Sequence, residues 1–214
     1  MAVPPEQQIY YQKEIEAFEA QDAARPPRNG AVLFIGSSIL RFWSTLEQDM
    51  QPLPVLNRAF GGARTWEVLH YMDRIVLPYR PRVIVYYCGS NDVQCGSPPR
   101  DIVNRFIAFT LKVHAALPAT RIIFLSVIKA PQKRERWDSI DIVNALIKQY
   151  CKQIPELLFI DLNTVFFDKT NRVRAELFVS DGVHLQPAAY REMTRIIKPV
   201  LENAWQDNGA AHAR

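Results

Sequence analysis

The feature of this sequence that most constrains its fold is a recurring unit: a short apolar run, a turn of small polar residues and a longer segment of helical periodicity. The apolar runs are rich in Val, Ile and Phe and too short for core helices, which predicts buried strands. They span residues 31–35, 55–59, 83–87, 122–127 and 157–160. Helical spacing follows at 38–49, 65–76, 100–116 and 138–153, and again at 187–206, where Pro187 suits a first helical turn. Strands alternating with helices indicate an α/β fold, a three-layer α/β/α sandwich with a five-stranded parallel sheet.

The chain is expected to form one compact domain, because 214 residues of 48% hydrophobic composition suffice for one sizeable core and would be short for two. Residues 6–21 have an imperfect amphipathic pattern that stops before a proline-rich stretch at 25–30. We therefore expect residues 1–30 to be an N-terminal helix and linker packed on the domain. Residues 31–207 should be the α/β domain itself, and residues 208–214 a tail.

The charge distribution does not indicate a nucleic-acid partner. The formal net charge of +4 comes from 26 basic and 22 acidic side chains, without a long run of either sign. Basic residues do gather at 129–136, where they could attract an anionic substrate, although we favour the interpretation of a solvated loop.

Cysteine usage and the chain's start favour a cytoplasmic location. Cys88, Cys95 and Cys151 form no CxxC pair, and an odd number in so long a chain is untypical of a disulfide framework. No basic start is followed by an apolar stretch, and no apolar run approaches the roughly 18 residues that cross a bilayer. We therefore expect no membrane span, and the oligomeric state stays open.

Candidate functional residues lie in the turns after the predicted strands, where open parallel sheets bind their ligands. Ser38 begins the helix after the first strand, where the helix dipole and free N–H groups favour negative charge. Gly61 and Gly62 follow the second strand and let backbone N–H groups approach a ligand. Asn91 follows the third strand, and its amide could donate to an oxyanion. A helix cap and ordinary turns are the alternative interpretations.

A carboxylate and an imidazole stand three residues apart just before the last predicted helix. Asp181 could hold the Nδ1 proton of His184 and leave Nε2 free to take the proton of a serine hydroxyl. A surface histidine beside a capping aspartate is the alternative. His70 and His114 lie in predicted helices and His212 near the C-terminus, so His184 is the histidine well placed after the sheet.

These segments resemble, in their order, the SGNH family of GDSL-type esterases and lipases, which is named after the Ser, Gly, Asn and His of four separated blocks. The resemblance spans about residues 31–200. In the first block, Gly36-Ser37-Ser38-Ile39, the nucleophile corresponds to Ser38, and Ser37 stands where the family commonly has aspartate.

The other three blocks supply the remaining site residues of that family. The glycine corresponds to Gly62, with Gly61 as the neighbouring alternative, and the asparagine corresponds to Asn91. The last block, Asp-x-x-His, corresponds to Asp181 and His184.

The resemblance implies a flavodoxin-like SGNH hydrolase fold and a serine esterase that needs no metal and no organic cofactor. Ser38 would attack the ester carbonyl, His184 would move the proton, and Asp181 would orient the imidazole. The N–H groups of Ser38 and Gly62 and the side chain of Asn91 would form the oxyanion hole, and water would then hydrolyse the acyl-enzyme.

Two other classes of protein fit the sequence less well. An α/β-hydrolase needs a G-x-S-x-G elbow, and residues 36–40 lack its second glycine. A non-catalytic, flavodoxin-like anion-binding module would use the Ser-rich and Gly-rich turns, but it leaves the pairing of Asp181 with His184 unexplained.

The expected partner is a small-molecule ester. A short-chain acyl or acetyl ester is the first expectation because the sequence shows no long apolar lid, and lysophospholipase or thioesterase activity is the alternative within the family. Residues 93–99 and 129–137 are candidates for the acyl pocket. Phe60 and Trp137 could line an apolar wall or belong to the core.

Overall fold

The computed structural model describes the backbone of residues 10–212 and the side chains of residues 10–207. Within this part of the chain a five-stranded sheet has the order β2-β1-β3-β4-β5, and every neighbouring pair is parallel. The strands are β1 Val32–Gly36, β2 Val55–Asn57, β3 Val83–Tyr87, β4 Arg121–Leu125 and β5 Leu157–Ile160. The strand order reverses at β1, which places the carboxyl ends of β1 and β3 at the point where such sheets bind ligands.

The helices connect these strands and cover both faces of the sheet. They are α1 Gln12–Ala24, α2 Ser38–Arg41, α3 Leu46–Asp49, α4 Thr65–Ile75, α5 Ser90–Gln94, α6 Pro99–Ala116, α7 Trp137–Cys151, α8 Asn163–Phe166 and α9 Pro187–His212. Short 3₁₀ turns occur at Leu77–Tyr79, Pro131–Arg136 and Ala175–Leu177. Helix α9 continues past residue 207, where the sequence suggested that a tail begins.

Two separate hydrophobic cores lie on the two faces of the sheet. Because successive side chains of a strand point to opposite faces, Leu33 and Ile35 join one core, whereas Val32 and Phe34 join the other. The first core packs against α1, α4, α6 and α7, and the second against α2, α3 and α9. The predicted three-layer α/β/α sandwich with a five-stranded parallel sheet is thereby confirmed.

The predicted helix at 38–49 is wrong as one element, because the chain turns between α2 and α3. Trp43 in this turn is buried, its ring lies 6.2 Å from that of Phe34, and its indole N–H donates to Asp49 over 2.6 Å. Burying this large aromatic side chain against β1 ends the first helix after one turn. The predicted second strand is also shorter than expected, although Arg58 still donates its backbone N–H to Phe34 of β1.

Helix α1 packs on the domain through its buried residues Ile15 and Phe18. Polar contacts hold its C-terminal half, since Asp22 pairs with Arg58 and accepts a 2.6 Å hydrogen bond from the Tyr79 hydroxyl. Residues 6–9 of the predicted N-terminal helix lie outside the described residues. No helix in the described part of the chain combines the length and the apolar character that crossing a membrane requires.

Candidate active site

Ser38, His184 and Asp181 form a continuous chain of hydrogen bonds at the carboxyl edge of the sheet. The Ser38 Oγ lies 3.0 Å from Nε2 of His184, and Nδ1 of the same ring lies 2.6 Å from Oδ2 of Asp181. When Nδ1 donates its proton to Asp181, Nε2 becomes the acceptor for the serine hydroxyl. These are the contacts that a nucleophile, a general base and an orienting carboxylate require.

A local turn brings the carboxylate to the imidazole. Oδ1 of Asp181 accepts hydrogen bonds from the backbone N–H groups of Val183 (2.8 Å) and His184 (2.9 Å), which leaves Oδ2 for the ring. The side chain of Asp181 is 46% exposed, so hydrogen bonding rather than burial sets its charge state. The His184 ring and these two N–H groups lower the pKa of Asp181 to about 2, and the carboxylate is ionised at neutral pH.

The position of Ser38 follows from the close approach of β1 to β3. Gly36 ends β1 with a φ of +141°, and a Cβ there would lie 1.8 Å from the carbonyl oxygen of Tyr87. The chain then turns into α2, whose first residue is Ser38 and whose N-cap is Ser37. The Ser37 side chain makes no capping hydrogen bond, and the Ser38 hydroxyl points to His184. Ser37 thus occupies the N-cap position without a side-chain capping bond, and the capping interpretation does not account for the Ser38 hydroxyl.

Three hydrogen-bond donors follow the carboxyl ends of β1, β2 and β3, which lie side by side in the sheet. Ser38 is the first residue of α2, and the first N–H groups of a helix lack intrahelical partners. Within residues 10–212, the backbone N–H groups of Ser38 and Gly62 donate to no backbone carbonyl. The Asn91 amide donates to the carbonyl of Ala63 over 3.0 Å, and its second N–H remains available for a ligand.

Asp92 ties the segment that carries Gly62 to the segment that carries Asn91. It is fully buried and accepts hydrogen bonds from Thr65, from the backbone N–H at 2.9 Å and from the hydroxyl at 2.5 Å. Arg105 neutralises the carboxylate over 3.2 Å. Burial raises the pKa of Asp92, while the bonds from Thr65 and the charge of Arg105 oppose that shift. The Asn-Asp pair is thus more than a turn, because Asp92 fixes one donor segment against the other.

A cleft of about 430 Å³ adjoins the candidate oxyanion donors. Gly62 and Asn91 line it, together with Tyr10, Tyr11, Arg64, Glu67, Gln94 and Cys95. Gln94 and Cys95 come from the predicted pocket segment 93–99, whereas the other predicted segment, 129–137, supplies no lining residue. Phe60 is fully buried and belongs to the core.

The basic segment at 129–136 is not simply a solvated loop. Lys133 is 4% exposed, and its ammonium donates to the carbonyl oxygen (3.1 Å) and to the hydroxyl (2.7 Å) of Ser90. Lys129 instead pairs with Asp141 at 3.1 Å and lies over the Trp137 ring. The interpretation as a solvated loop is therefore wrong for Lys133.

The structure brings the three residues named from the sequence, Ser38, Asp181 and His184, into one hydrogen-bonded chain. Asp92, Lys133 and the two tyrosines of the cleft were not predicted as site residues. Asp92 directly follows Asn91, so the predicted role of Asn91 was the sign in the sequence that Asp92 could belong to the site. Tyr10 and Tyr11 fall inside the predicted N-terminal helix, and nothing in their local pattern shows that they reach Gly62.

The protein is thus a three-layer α/β/α sandwich with a serine, a histidine and an aspartate hydrogen-bonded to one another at the carboxyl edge of its sheet. The profile of the GDSL-like Lipase/Acylhydrolase family matches residues 36–192. The chain therefore belongs to that family. Helix α1 lies before the matched residues. No curated protein matches the sequence significantly.

Solved structures show the same fold at low sequence identity. A protein from Streptococcus pneumonia described as a candidate platelet activating factor is 20% identical, with a TM-score of 0.79 over 92% of this chain and 95% of its own. A GDSL-like lipase from Bacteroides thetaiotaomicron is 20% identical, with a TM-score of 0.74 over 89% and 98%. An acetyl-xylooligosaccharide esterase from Geobacillus Stearmophilus is 16% identical, with a TM-score of 0.66 over 79% and 93%.

Proposed function

We propose that the protein is a serine esterase that cleaves carboxylic esters through an acyl-enzyme. The observation that carries this proposal is the hydrogen-bonded chain from Ser38 through His184 to Asp181, with distances of 3.0 and 2.6 Å. Membership of the GDSL-like Lipase/Acylhydrolase family supports the same type of reaction.

In this reaction Ser38 Oγ forms a bond to the ester carbonyl carbon as His184 Nε2 takes the hydroxyl proton. The tetrahedral intermediate collapses, the bond to the alcohol oxygen breaks, and His184 delivers the proton to the leaving alcohol. Water activated by the same imidazole then releases the acid and restores Ser38. Asp181 carries the counter-charge for the imidazolium in both halves of the reaction.

The oxyanion would be held by the backbone N–H groups of Ser38 and Gly62 and by the second N–H of Asn91. Removal of one such donor costs about 100-fold to 1,000-fold in rate in related chemistry. Gly62 is favoured over Gly61 because Gly62 lines the cleft beside Asn91, whereas a Cβ on Gly61 would meet only the side chain of Arg41, at 3.7 Å.

We assign a short acyl ester, such as an acetyl ester, as the substrate class. The cleft of about 430 Å³ is lined by the proposed oxyanion donors Gly62 and Asn91 rather than by Ser38 and His184, and it lies toward the small end of ligand sites. The structural neighbour from Geobacillus Stearmophilus, described as an acetyl-xylooligosaccharide esterase, is consistent with this choice. Tyr10 and Tyr11 line the cleft beside the oxyanion donors, and their rings meet edge to face at 87°.

The test is hydrolysis of p-nitrophenyl esters from acetate to palmitate by the wild type, by Ser38→Ala and by the matched control Ser44→Ala. Ser44 is an exposed serine after α2. We expect hydrolysis in the wild type and in Ser44→Ala, and its loss in Ser38→Ala. The optimum should fall at acetate or butyrate, while an optimum at long chains would replace the short-acyl assignment with a lysophospholipase or thioesterase type of substrate.

A fluorophosphonate probe separates a catalytic serine from a binding site that happens to contain one. We expect the probe to label Ser38 in the wild type and to react far more slowly in His184→Ala, because the base activates the hydroxyl. A folded protein that neither hydrolyses any ester nor reacts with the probe would favour the non-catalytic binding module.

A further inference from the structure

Lys133 is a buried cation outside the hydrogen-bonded chain described above. It is 4% exposed, and among the residues whose side chains are described, no carboxylate forms an ion pair with it. A buried charge without a counter-charge is costly, so the hydrogen bonds of its ammonium must offset part of that cost. Its two hydrogen bonds both go to Ser90.

Ser90 is the first residue of α5 and directly precedes Asn91. The Lys133 ammonium donates hydrogen bonds to two atoms of Ser90, the carbonyl oxygen at 3.1 Å and the hydroxyl oxygen at 2.7 Å. The Ser90 carbonyl belongs to the peptide group that continues into Asn91. The ammonium therefore restrains the backbone from which the candidate oxyanion donor projects.

The segment that carries Lys133 also contacts the loop of the base. The backbone N–H of Gln132 donates to the carbonyl of Gly182 over 3.2 Å, and Gly182 lies between Asp181 and His184. One 3₁₀ turn, Pro131–Arg136, is thus joined at neighbouring residues to the Asn91 segment and to the His184 loop.

We propose that Lys133 is a positioning residue that fixes Asn91 through Ser90 and holds a positive charge next to the Asn91 segment. The proposal rests on the proposed esterase function. Negative charge develops on the carbonyl oxygen only in the transition state, so a cation held next to a donor segment stabilises that state more than the bound ester. Loss of the Lys133 charge should therefore lower kcat and leave KM nearly unchanged.

Burial lowers the pKa of Lys133 to about 8, and the nearby Cys95 and Asp92 oppose that shift. At neutral pH the ammonium is charged, and the charge is lost as the pH rises through about 8. The charged or titratable groups on the elements around it are Asp92 of α5, Cys95 directly after α5, Tyr87 of β3, Asp138 in the first turn of α7, and Asp181 and His184. Burial raises the pKa of Tyr87, which stays neutral over the range tested.

The experiment is the pH dependence of kcat for p-nitrophenyl acetate between pH 6.5 and 9.5, with the rate of Ser38→Ala subtracted at each pH. We expect kcat of the wild type to fall by about tenfold above pH 8, which is the loss that removal of the charge should cause. Lys133→Met should have this low kcat already at pH 7, with KM changed by less than about twofold and no further fall at alkaline pH. Lys133→Arg keeps a cation at every pH and should keep kcat high to pH 9.5.

Two control variants separate Lys133 from other alkaline groups. Cysteine thiols in general ionise at alkaline pH, so Cys95→Ser should retain the fall in kcat if Lys133 causes it. Lys112 pairs with Asp73 on the surface at 2.6 Å. Lys112→Met removes a lysine charge far less buried than that of Lys133, and it should leave the pH profile unchanged.

A wild-type kcat that stays flat to pH 9.5, or a fall that persists in Lys133→Met, would overturn this inference while leaving the esterase in place. If the Lys133 variants do not fold, a fall in kcat that persists in Cys95→Ser and Lys112→Met supports the inference, and a fall that Cys95→Ser abolishes overturns it. Absence of any hydrolysis that depends on Ser38 would instead overturn the proposed function, and this inference with it.

Discussion

Replacement of Gly62 by alanine tests the geometry of the oxyanion segment directly. Gly62 has a φ of +77°, and an added Cβ would lie 2.5 Å from the hydroxyl oxygen of Tyr11. Tyr11 cannot easily swing away, because its side chain is 6% exposed and its ring lies 4.9 Å from that of Phe60. The substitution therefore combines backbone strain with a close contact.

The two effects can be separated in magnitude. Alanine in the left-handed region costs roughly 1–2 kcal/mol, and overpacking a well-packed site costs about 1–3 kcal/mol. We expect Gly62→Ala to lower the free energy of unfolding by about 3 kcal/mol, which corresponds to a fall in Tm of roughly 6–12 °C for a domain of this size.

Gly96 provides a matched control for the free-energy cost of alanine in the left-handed backbone conformation. It has the same φ of +77°, but a Cβ there would have no atom within 4 Å. Gly96→Ala should cost only about 1–2 kcal/mol. The difference between the two glycine variants, measured by urea unfolding, isolates the contact with Tyr11.

Tyr11→Phe removes the oxygen that the new Cβ would meet. In the double variant Gly62→Ala with Tyr11→Phe, about 1–2 kcal/mol of the loss should be recovered relative to the sum of the single variants. The kcat of Gly62→Ala on p-nitrophenyl acetate should fall at least about tenfold, because the shifted N–H no longer faces the oxyanion. A neutral Gly62→Ala, or strict additivity with Tyr11→Phe, would refute this description of the segment.

Three further substitutions address the proposed roles. Asp181→Asn should leave the fold intact and reduce turnover by up to about 10⁴-fold, because the imidazole loses its orienting carboxylate; near-normal turnover would exclude Asp181 from the mechanism. Asn91→Ala should lower kcat more than it raises KM, since its donor acts in the transition state; a change in KM alone would remove Asn91 from the oxyanion hole. Asp92→Ala should destabilise the fold by about 3 kcal/mol, because Arg105 loses its buried partner; an unchanged urea midpoint would contradict the tie between the two donor segments.

The periodicity of the sequence predicts the sheet well because each strand is a short, local apolar run. Strand β3 has the predicted bounds of 83–87, and β5 has those of 157–160. The break between α2 and α3 was not predictable from that pattern, since it depends on how Trp43 packs against Phe34 of β1. Helices α5 and α8 are too short to show a helical period at all.

The candidate site was predictable where its chemistry is carried by uncommon residues at short spacing. The pairing of Asp181 with His184 depends on a turn of four residues, so the sequence alone indicates it. Lys133 differs because its partner is 43 positions away, at Ser90. A lysine among basic neighbours is expected in water, and only the packing of the 3₁₀ turn reveals that this one is buried.

Helix α1 lies outside the residues that the family profile matches, yet Tyr11, just before it, reaches the cleft beside Gly62. The chemistry and the wall against which a substrate would rest are thus encoded in separate stretches of the gene. A substitution at Tyr11 would therefore change the lining of the cleft without altering Ser38, Asp181 or His184. The cleft and the hydrogen-bonded chain can thus vary independently of each other in sequence.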